Sequence, residues 1–151
     1  MEAFLLSAHV LAGILFVGPS AAAVSLFPRF APVTDGSPER RPGERSPRVA
    51  ALLHRITRVY GMLAIIVPVV GITLAIVQGR MGEIWITIAM IITAVAGALL
   101  ALQIAPRQKQ ALKEPDDGRQ LRRLGMLAGI FNLCWAVVVV LMIVRPGSDY
   151  A

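Results

Sequence analysis

Four long apolar stretches alternate with short polar ones along this chain. They cover about residues 3–27, 56–77, 84–105 and 121–144, and no Asp, Glu, Lys or Arg lies in them beyond the first three residues of a stretch. Each is long enough to cross a membrane, since a transmembrane helix needs roughly 20 apolar residues. Backbone groups in lipid must be paired within the chain, so all four are expected to be helices. The pattern predicts an all-α fold, an antiparallel four-helix transmembrane bundle forming a single domain of residues 1–151.

Positive charges are concentrated in two of the connections between these spans. Thirteen of the 15 Lys and Arg residues lie within residues 28–58 or 106–123, and the other two are Arg80 and Arg145. Lys and Arg close to span ends mark the cytoplasmic side of a membrane protein. We therefore expect both basic segments in the cytoplasm, both termini outside it, and a multi-pass location in the cell inner (plasma) membrane.

The composition adds one point, which is what the basic segments contact. The chain is 56% hydrophobic with a net charge of +6, and no basic face interleaved with aromatic residues indicates nucleic-acid binding. Residues 28–55 are rich in Pro, Gly and charge, which predicts a cytoplasmic linker, with a helix resuming near Arg48. Arg residues that flank the second and fourth spans are interpreted as contacts to anionic lipid headgroups: Arg48, Arg55, Arg58, Arg122 and Arg123.

A few polar side chains lie at membrane depth. His9 is roughly 9 Å from the outer end of the first span at a rise of about 1.5 Å per residue. Residues estimated to lie near the same level predict a small polar layer: Thr73, Thr93, Asn132 and Cys134. An intramembrane His ligates haem or a metal, or carries a proton; alternatively, it is a neutral His bonded to Asn132 or to a backbone carbonyl. Met90 is a second candidate ligand, although Met in a membrane helix is ordinarily core.

Other features of the spans bear on shape rather than chemistry. Pro68 and the Gly18-Pro19-Ser20 sequence predict kinks or loosened hydrogen-bond ladders in the second and first helices.

Trp85 and Tyr150 are predicted to anchor at the outer membrane surface. His54 is predicted at the cytoplasmic entrance of the second span, too far from His9 for both to ligate one haem in a protomer. The small-residue pair Gly125 and Gly129 indicates either bundle packing or a homo-oligomer contact.

The order of these residues resembles a bacterial integral-membrane family known as domain of unknown function 2269. The motifs that carry the resemblance are His9 with Gly13 and Gly18, Pro28-Arg29, His54-Arg55, Gly71, Trp85, Pro106-Arg107-Gln108 and Met142-Ile143-Val144-Arg145-Pro146. A more distant similarity is to HemJ-type protoporphyrinogen oxidases and copper-resistance D-type membrane proteins, through Ala8-His9-Val10 and Leu26-Phe27-Pro28-Arg29-Phe30. The first family implies a four-helix membrane protein, and the HemJ-type similarity implies that His9 serves haem. That type has a Lys after the Trp of its third helix, whereas Ile86 follows Trp85 here.

Three functions are compatible with the sequence. The first is a non-enzymatic accessory or stabilising component of a larger membrane assembly, with other membrane proteins or copies of itself as partners. The second is a b-haem or haem-related redox protein that uses His9. The third is a small transporter or copper-handling protein that uses the polar layer, Met90 and the helix interruption at Pro68.

The charge distribution makes the threading testable. A reporter enzyme that is active only outside the cytoplasm is expected to be active when fused at Gly79 or after Ala151, because both positions follow an even number of crossings from an external N-terminus. The matched control is the same reporter at Glu114 in the second basic segment, where it is expected to be silent. Activity at Glu114, or silence at the other two positions, would reverse the threading.

Overall fold

The computed structural model describes residues 1–34 and 45–148, and these residues form helices joined by turns. Four helices are long and apolar enough to cross a membrane: Glu2–Phe30, Pro47–Val77, Ile84–Lys113 and Arg119–Val144. The all-helical fold and the four apolar spans are therefore confirmed. All four helices continue beyond the apolar stretches, the fourth by only two residues, because segments next to the basic residues also form helix. The second begins at Pro47, next to the expected restart near Arg48.

Three of the long helices are interrupted, so the described residues form seven α-helical segments. They are α1 (Glu2–Ala12), α2 (Gly18–Phe30), α3 (Pro47–Leu63), α4 (Ile66–Val77), α5 (Ile84–Leu99), α6 (Ala105–Lys113) and α7 (Arg119–Val144). A π-helical turn, Gly13–Val17, joins α1 to α2, and a second one, Leu100–Ile104, joins α5 to α6. Between α3 and α4 the helix is broken by a turn at Ala64 and Ile65.

Each interruption lies just before a proline. Pro19, Pro68 and Pro106 have no N–H to donate, and the ring of a proline collides with the carbonyl four residues earlier. Those three carbonyl positions fall inside the two π-helical turns and the break. In the π-helical turns a backbone N–H can donate to the carbonyl five residues earlier instead of four. The N–H of Gly18, for example, donates to the carbonyl of Gly13. The loosened ladders predicted at Pro19 and Pro68 are confirmed, and the one at Pro106 was not predicted.

The main hydrophobic core lies at the end of the bundle that carries the basic segments. There α2 packs on both α3 and α7, and Phe27, Ile104, Leu124 and Phe131 are at most 2% exposed. Away from this end, α1 packs on α4 and α5 packs on α7. The helices α4 and α5 approach each other only briefly, around a small second cluster of Ala75, Trp85 and Ile86. The structure is thus tightly closed at the Arg-rich end and consists of two helix pairs towards the other.

The first basic segment is fastened to the end of α2. The Nη1 atom of Arg45 donates to the carbonyls of Pro28 at 2.9 Å and Ala31 at 2.8 Å. The backbone N–H of Ser46 donates to the carbonyl of Phe30 at 3.0 Å. A guanidinium here satisfies carbonyls that the helix leaves unpaired and complements the helix dipole. The predicted linker is therefore shorter than residues 28–55, since its two ends are helical, and its residues 35–44 lie outside the described part.

The second basic segment turns at Pro115-Asp116-Asp117-Gly118 into α7, as the sequence predicts. Gly118 has a φ of 103°, a left-handed conformation that favours glycine. The carboxylate of Asp116 accepts from the N–H of Gly118 at 2.9 Å and from that of Gln120 at 3.2 Å, so it caps the first turn. Partial burial tends to raise the pKa of Asp116, but these hydrogen bonds and the charge of Arg122 outweigh it and hold the pKa below its usual range.

This carboxylate makes the stability of the α7 start dependent on pH. Because the pKa is lower in the folded state, the stabilisation is present above the unfolded-state pKa of about 4 and is lost as the pH falls through the folded-state value. Replacing Asp116 with Ala is expected to lower the free energy of unfolding at pH 7 by about 1 kcal/mol, and by less below about pH 3. Thermal unfolding in detergent, followed by circular dichroism at both pH values, measures the difference.

Glu114→Ala is the matched control. Glu114 is exposed in the same connection, and the hydrogen bonds with Gln110 and Gln120 are made by its backbone, so removing its carboxylate is expected to change stability little. An equal loss for Asp116→Ala at pH 7 and at low pH would contradict the capping role of the carboxylate.

Candidate functional site

His9 lies on α1 with its ring buried against α4. Its Nδ1 atom is 3.0 Å from the carbonyl oxygen of Val67. A carbonyl only accepts, so Nδ1 carries the hydrogen and Nε2 keeps its lone pair. The sequence suggested either Asn132 or a backbone carbonyl as the partner of a neutral His9, and the partner is a backbone carbonyl. The same arrangement orients many metal-binding histidines, whose second nitrogen then faces the metal.

Gly71 makes room for this ring. A Cβ atom at position 71 would lie 2.8 Å from Cε1 and 3.1 Å from Nδ1 of His9. The first distance is shorter than real Cβ contacts and the second is tighter than most of them, so the close approach of the ring favours glycine at position 71. The hydrogen bond to Val67 and the contact with Gly71 together clamp α1 onto α4.

Asn132 does not share a level with His9. Its Nδ2 atom donates to Oγ of Ser25 at 2.7 Å, and the Ser25 hydroxyl donates to the carbonyl of Ala21 at 2.8 Å. Ser25 and His9 belong to the same long helix and are separated along it by about 24 Å at about 1.5 Å per residue. The expectation of one layer containing both residues is therefore corrected. The depth estimate assumed that the first and fourth helices reach the same inner level, whereas packing brings Ser25, five residues before the end of the first helix, beside Asn132, thirteen residues after the start of α7.

The other members of the predicted layer are also dispersed. Thr73 donates to the carbonyl of Val69 in its own helix at 2.9 Å. Cys134 packs against the main core, and Met90 packs against the small cluster around Trp85. Among residues 1–34 and 45–148, no group of three or more His, Cys, Asp or Glu is placed to hold a metal ion.

Trp85 is turned inwards rather than towards headgroups. It is 9% exposed, and its indole N–H donates to the carboxylate of Glu83. The position of Trp85 in the sequence indicated the correct end of α5 but not the direction of its side chain. That direction depends on the neighbours Ala75 and Met142, which come from other helices. The other predicted anchor, Tyr150, lies outside the described residues.

A cavity of about 80 Å³ lies where the three interruptions meet. All four long helices line it, through Val17, Ser20, Gly61, Ala64, Ile65, Pro68, Thr93, Gly97, Leu100, Phe131 and Trp135. Val17 belongs to the first π-helical turn, Ala64 and Ile65 form the break, and Leu100 begins the second π-helical turn. π-Helical turns occur preferentially at functional sites. Of the predicted polar layer, Thr93 lies here.

Span four brings two unpaired polar atoms into the interior. Within the described part of the chain, Oδ1 of Asn132 and Nε1 of Trp135 are the enclosed side-chain atoms that lack a hydrogen-bond partner. The ring of Trp135 meets that of Phe131 edge to face, with centroids 6.3 Å apart. These two rings form one wall of the cavity, so it is bounded on that side by rigid aromatic surface.

A buried chain of polar side chains near the Arg-rich end was not predicted from the sequence. The Nε2 atom of Gln108 donates to Oγ1 of Thr57 at 3.3 Å, and Thr57 donates to the carbonyl of Leu53 at 3.0 Å. The Oε1 atom of Gln108 therefore faces His54 and accepts from its Nδ1 at 3.0 Å. Gln108 and Thr57 are 0% exposed, so these hydrogen bonds join α3 to α6 in the interior. One available signal was that His54 and Thr57 are three residues apart, on one face of a helix.

The five Arg residues assigned to lipid headgroups are all exposed. Arg48, Arg55 and Arg58 lie on α3, and Arg122 and Arg123 lie in the first turns of α7. Their exposure leaves the guanidinium groups accessible, and their contact with anionic lipid stays a prediction.

The clamp between α1 and α4 is tested by Gly71→Ala. The added methyl group must displace the His9 ring, so the free energy of unfolding is expected to fall by about 1–3 kcal/mol, the usual cost of overpacking. Gly129→Ala is the control, because a Cβ at position 129 meets nothing within 4 Å. In the double variant His9→Ala/Gly71→Ala the loss from Gly71→Ala is expected to disappear, since the ring is gone. Additive losses in this cycle, measured by denaturation in detergent, would show that Gly71 is not packed against His9.

Comparisons with protein-family models, with curated proteins and with solved structures give no match. The assignment of a role therefore depends on the chain's own geometry. That geometry offers a clamped His9 between α1 and α4, a cavity at the helix interruptions, and a buried polar chain at the Arg-rich end.

Proposed function

We propose that this chain is a non-enzymatic multi-pass membrane protein that serves as an accessory or stabilising component of a larger membrane assembly. The supporting observation is the amount of apolar helix surface that the chain does not cover itself. Only 33%, 17%, 22% and 17% of the most apolar windows of the four long helices are buried within the chain. Lipid tails or neighbouring membrane helices must cover the remainder.

Span four supports the choice of a protein neighbour. Gly125 and Gly129 are exposed on α7, and a Cβ at either position would meet nothing within 4 Å. Small residues that are open in this way let another helix approach closely, which is how membrane helices gain dispersion energy in the absence of a hydrophobic driving force. The neighbour is another membrane protein or a second copy of this chain.

The proposed threading places the four long helices antiparallel in the cell inner membrane. The basic segments face the cytoplasm and both termini lie outside it. The distribution of Lys and Arg supports this threading. The exposure of Arg48, Arg55, Arg58, Arg122 and Arg123 supports their contact with anionic headgroups.

A second function, a b-haem protein, is favoured by one observation at His9. Its Nδ1 atom is occupied by Val67, so Nε2 has the lone pair that an axial ligand needs. His9 would hold the iron of a bound haem, which would supply one-electron redox chemistry. The cavity of about 80 Å³ is too small for the haem itself, since cofactor sites occupy roughly 300–1,000 Å³. His54 bonds to Gln108 in a separate part of the fold and does not offer a second ligand beside His9.

The accessory role is tested in native membranes. After extraction in mild detergent, the tagged chain is expected to migrate on a native gel as part of an assembly that contains other membrane subunits. Deleting the chain is expected to lower the abundance of those same subunits, because a stabilising component that binds only the assembled state shifts the equilibrium towards it. Migration as a lone monomer, with unchanged abundance of other membrane proteins on deletion, would overturn the proposal.

The haem function is tested on the same purified material by a reduced-minus-oxidised absorption spectrum. A Soret band lost in His9→Ala and retained in His54→Ala would favour the redox protein over the accessory one. A flat visible spectrum would leave His9 as the residue that clamps α1 to α4.

A further inference from the structure

We propose that the cavity at the helix interruptions binds the acyl chain of a bilayer phospholipid, which enters from the side between the second and third long helices. The proposal uses the membrane location of the chain and is independent of the accessory role. It follows from where the cavity opens, how deep in the membrane it lies, how large it is and which groups line it.

The cavity has its floor in the bundle and its mouth on the surface. Ser20 and Phe131 are 1% and 2% exposed and form part of the floor. Ile65 is 63% exposed, and Gly97 is also exposed, on the second and third long helices. The mouth therefore lies between these two helices, beside the region where α4 and α5 separate. In a membrane, that surface faces lipid.

The depth of the mouth selects the part of a lipid that meets it. Trp135 lies about 13 Å from the Val144 end of α7 at about 1.5 Å per residue. The hydrocarbon core is about 30 Å thick, so the cavity is close to its middle. At this depth a phospholipid presents methylene groups, while its ester and phosphate groups remain at the interface.

The size and lining of the cavity agree with such an occupant. Its volume, about 80 Å³, is below the roughly 150 Å³ of an apolar cavity that accepts benzene, so a slender chain fits and a ring does not. The hydroxyl of Ser20 is already used, since it donates to the carbonyl of Phe16 at 2.9 Å. Apart from Thr93 and the indole N–H of Trp135, which is unpaired within the described residues, the other lining side chains are hydrocarbon. An empty apolar space loses dispersion contacts that a methylene chain restores.

The two tryptophans of the chain allow a direct measurement. In Trp85→Phe protein, fluorescence comes from Trp135 alone, at the wall of the cavity. This protein is reconstituted in phosphatidylcholine vesicles whose acyl chains carry bromine at mid-chain, a contact quencher, and in unbrominated vesicles of the same composition. An acyl chain in the cavity is expected to quench Trp135 strongly.

Substitutions at the mouth are expected to change this quenching in opposite directions. Gly97→Leu adds a side chain at the mouth, where its Cβ atom meets nothing within 4 Å, and most of the quenching is expected to be lost. Ile65→Ala widens the mouth and is expected to increase quenching. Gly125→Leu is the matched control, because it adds the same side chain at an exposed glycine that does not line the cavity.

The outcome decides the proposal in either case. Equal quenching in the Gly97→Leu and Gly125→Leu proteins, or no increase with Ile65→Ala, would overturn it and indicate that Trp135 senses only lipid outside the bundle. Far-UV circular dichroism verifies helicity, and Gly97→Ala replaces Gly97→Leu if the larger residue prevents folding. No other protein is present in the vesicles, so failure of this experiment is distinguishable from failure of the accessory role.

Discussion

The pairing of backbone groups in an apolar environment is the constraint on which the rest of this structure depends. In hydrocarbon, an unpaired N–H or C=O costs several kcal/mol, so the apolar stretches must be helical. Pro19, Pro68 and Pro106 each remove a donor and obstruct the carbonyl four residues earlier. The chain responds with two π-helical turns and one break, which keep most groups bonded while leaving the helices irregular. The cavity is the spatial consequence, since residues of all three irregular turns line it.

The two ends of the bundle are held together by different means. Near the basic segments, large buried side chains and the Gln108 hydrogen bonds join α2, α3, α6 and α7. Farther along, α1 is held to α4 by the His9 bond to Val67 and by the space that Gly71 leaves. The α1–α4 pair and the α5–α7 pair are therefore each well packed, with a looser boundary between them. A loose boundary at membrane depth is where lipid or a neighbouring helix gains access to the interior.

Polar residues in this chain are mostly satisfied by nearby partners, which explains why the site predictions met with mixed outcomes. His9 is buried, and one of the two kinds of partner suggested for it is present. Asn132 was placed beside it wrongly, because the register between the first and fourth helices is decided by side chains such as Phe27 and Leu124 that interlock across the core. His54 was predicted at the cytoplasmic entrance of the second span, but its hydrogen bond to Gln108, and through it the link to Thr57, was not predicted. A hydrogen bond between residues so far apart in sequence leaves no local pattern.

The sequence by itself determined the helices, their approximate limits and two of the three proline interruptions, because these depend on apolar length and on the chemistry of single residues. It also determined that positive charge gathers in two connections, which underlies the proposed threading. Only the tertiary structure decided which helices pair, which carbonyl His9 meets, that Trp85 faces inwards and that a cavity forms at the interruptions. These features depend on the relative rotation and register of helices, which are set by the combined packing of many side chains and are not encoded in any one segment.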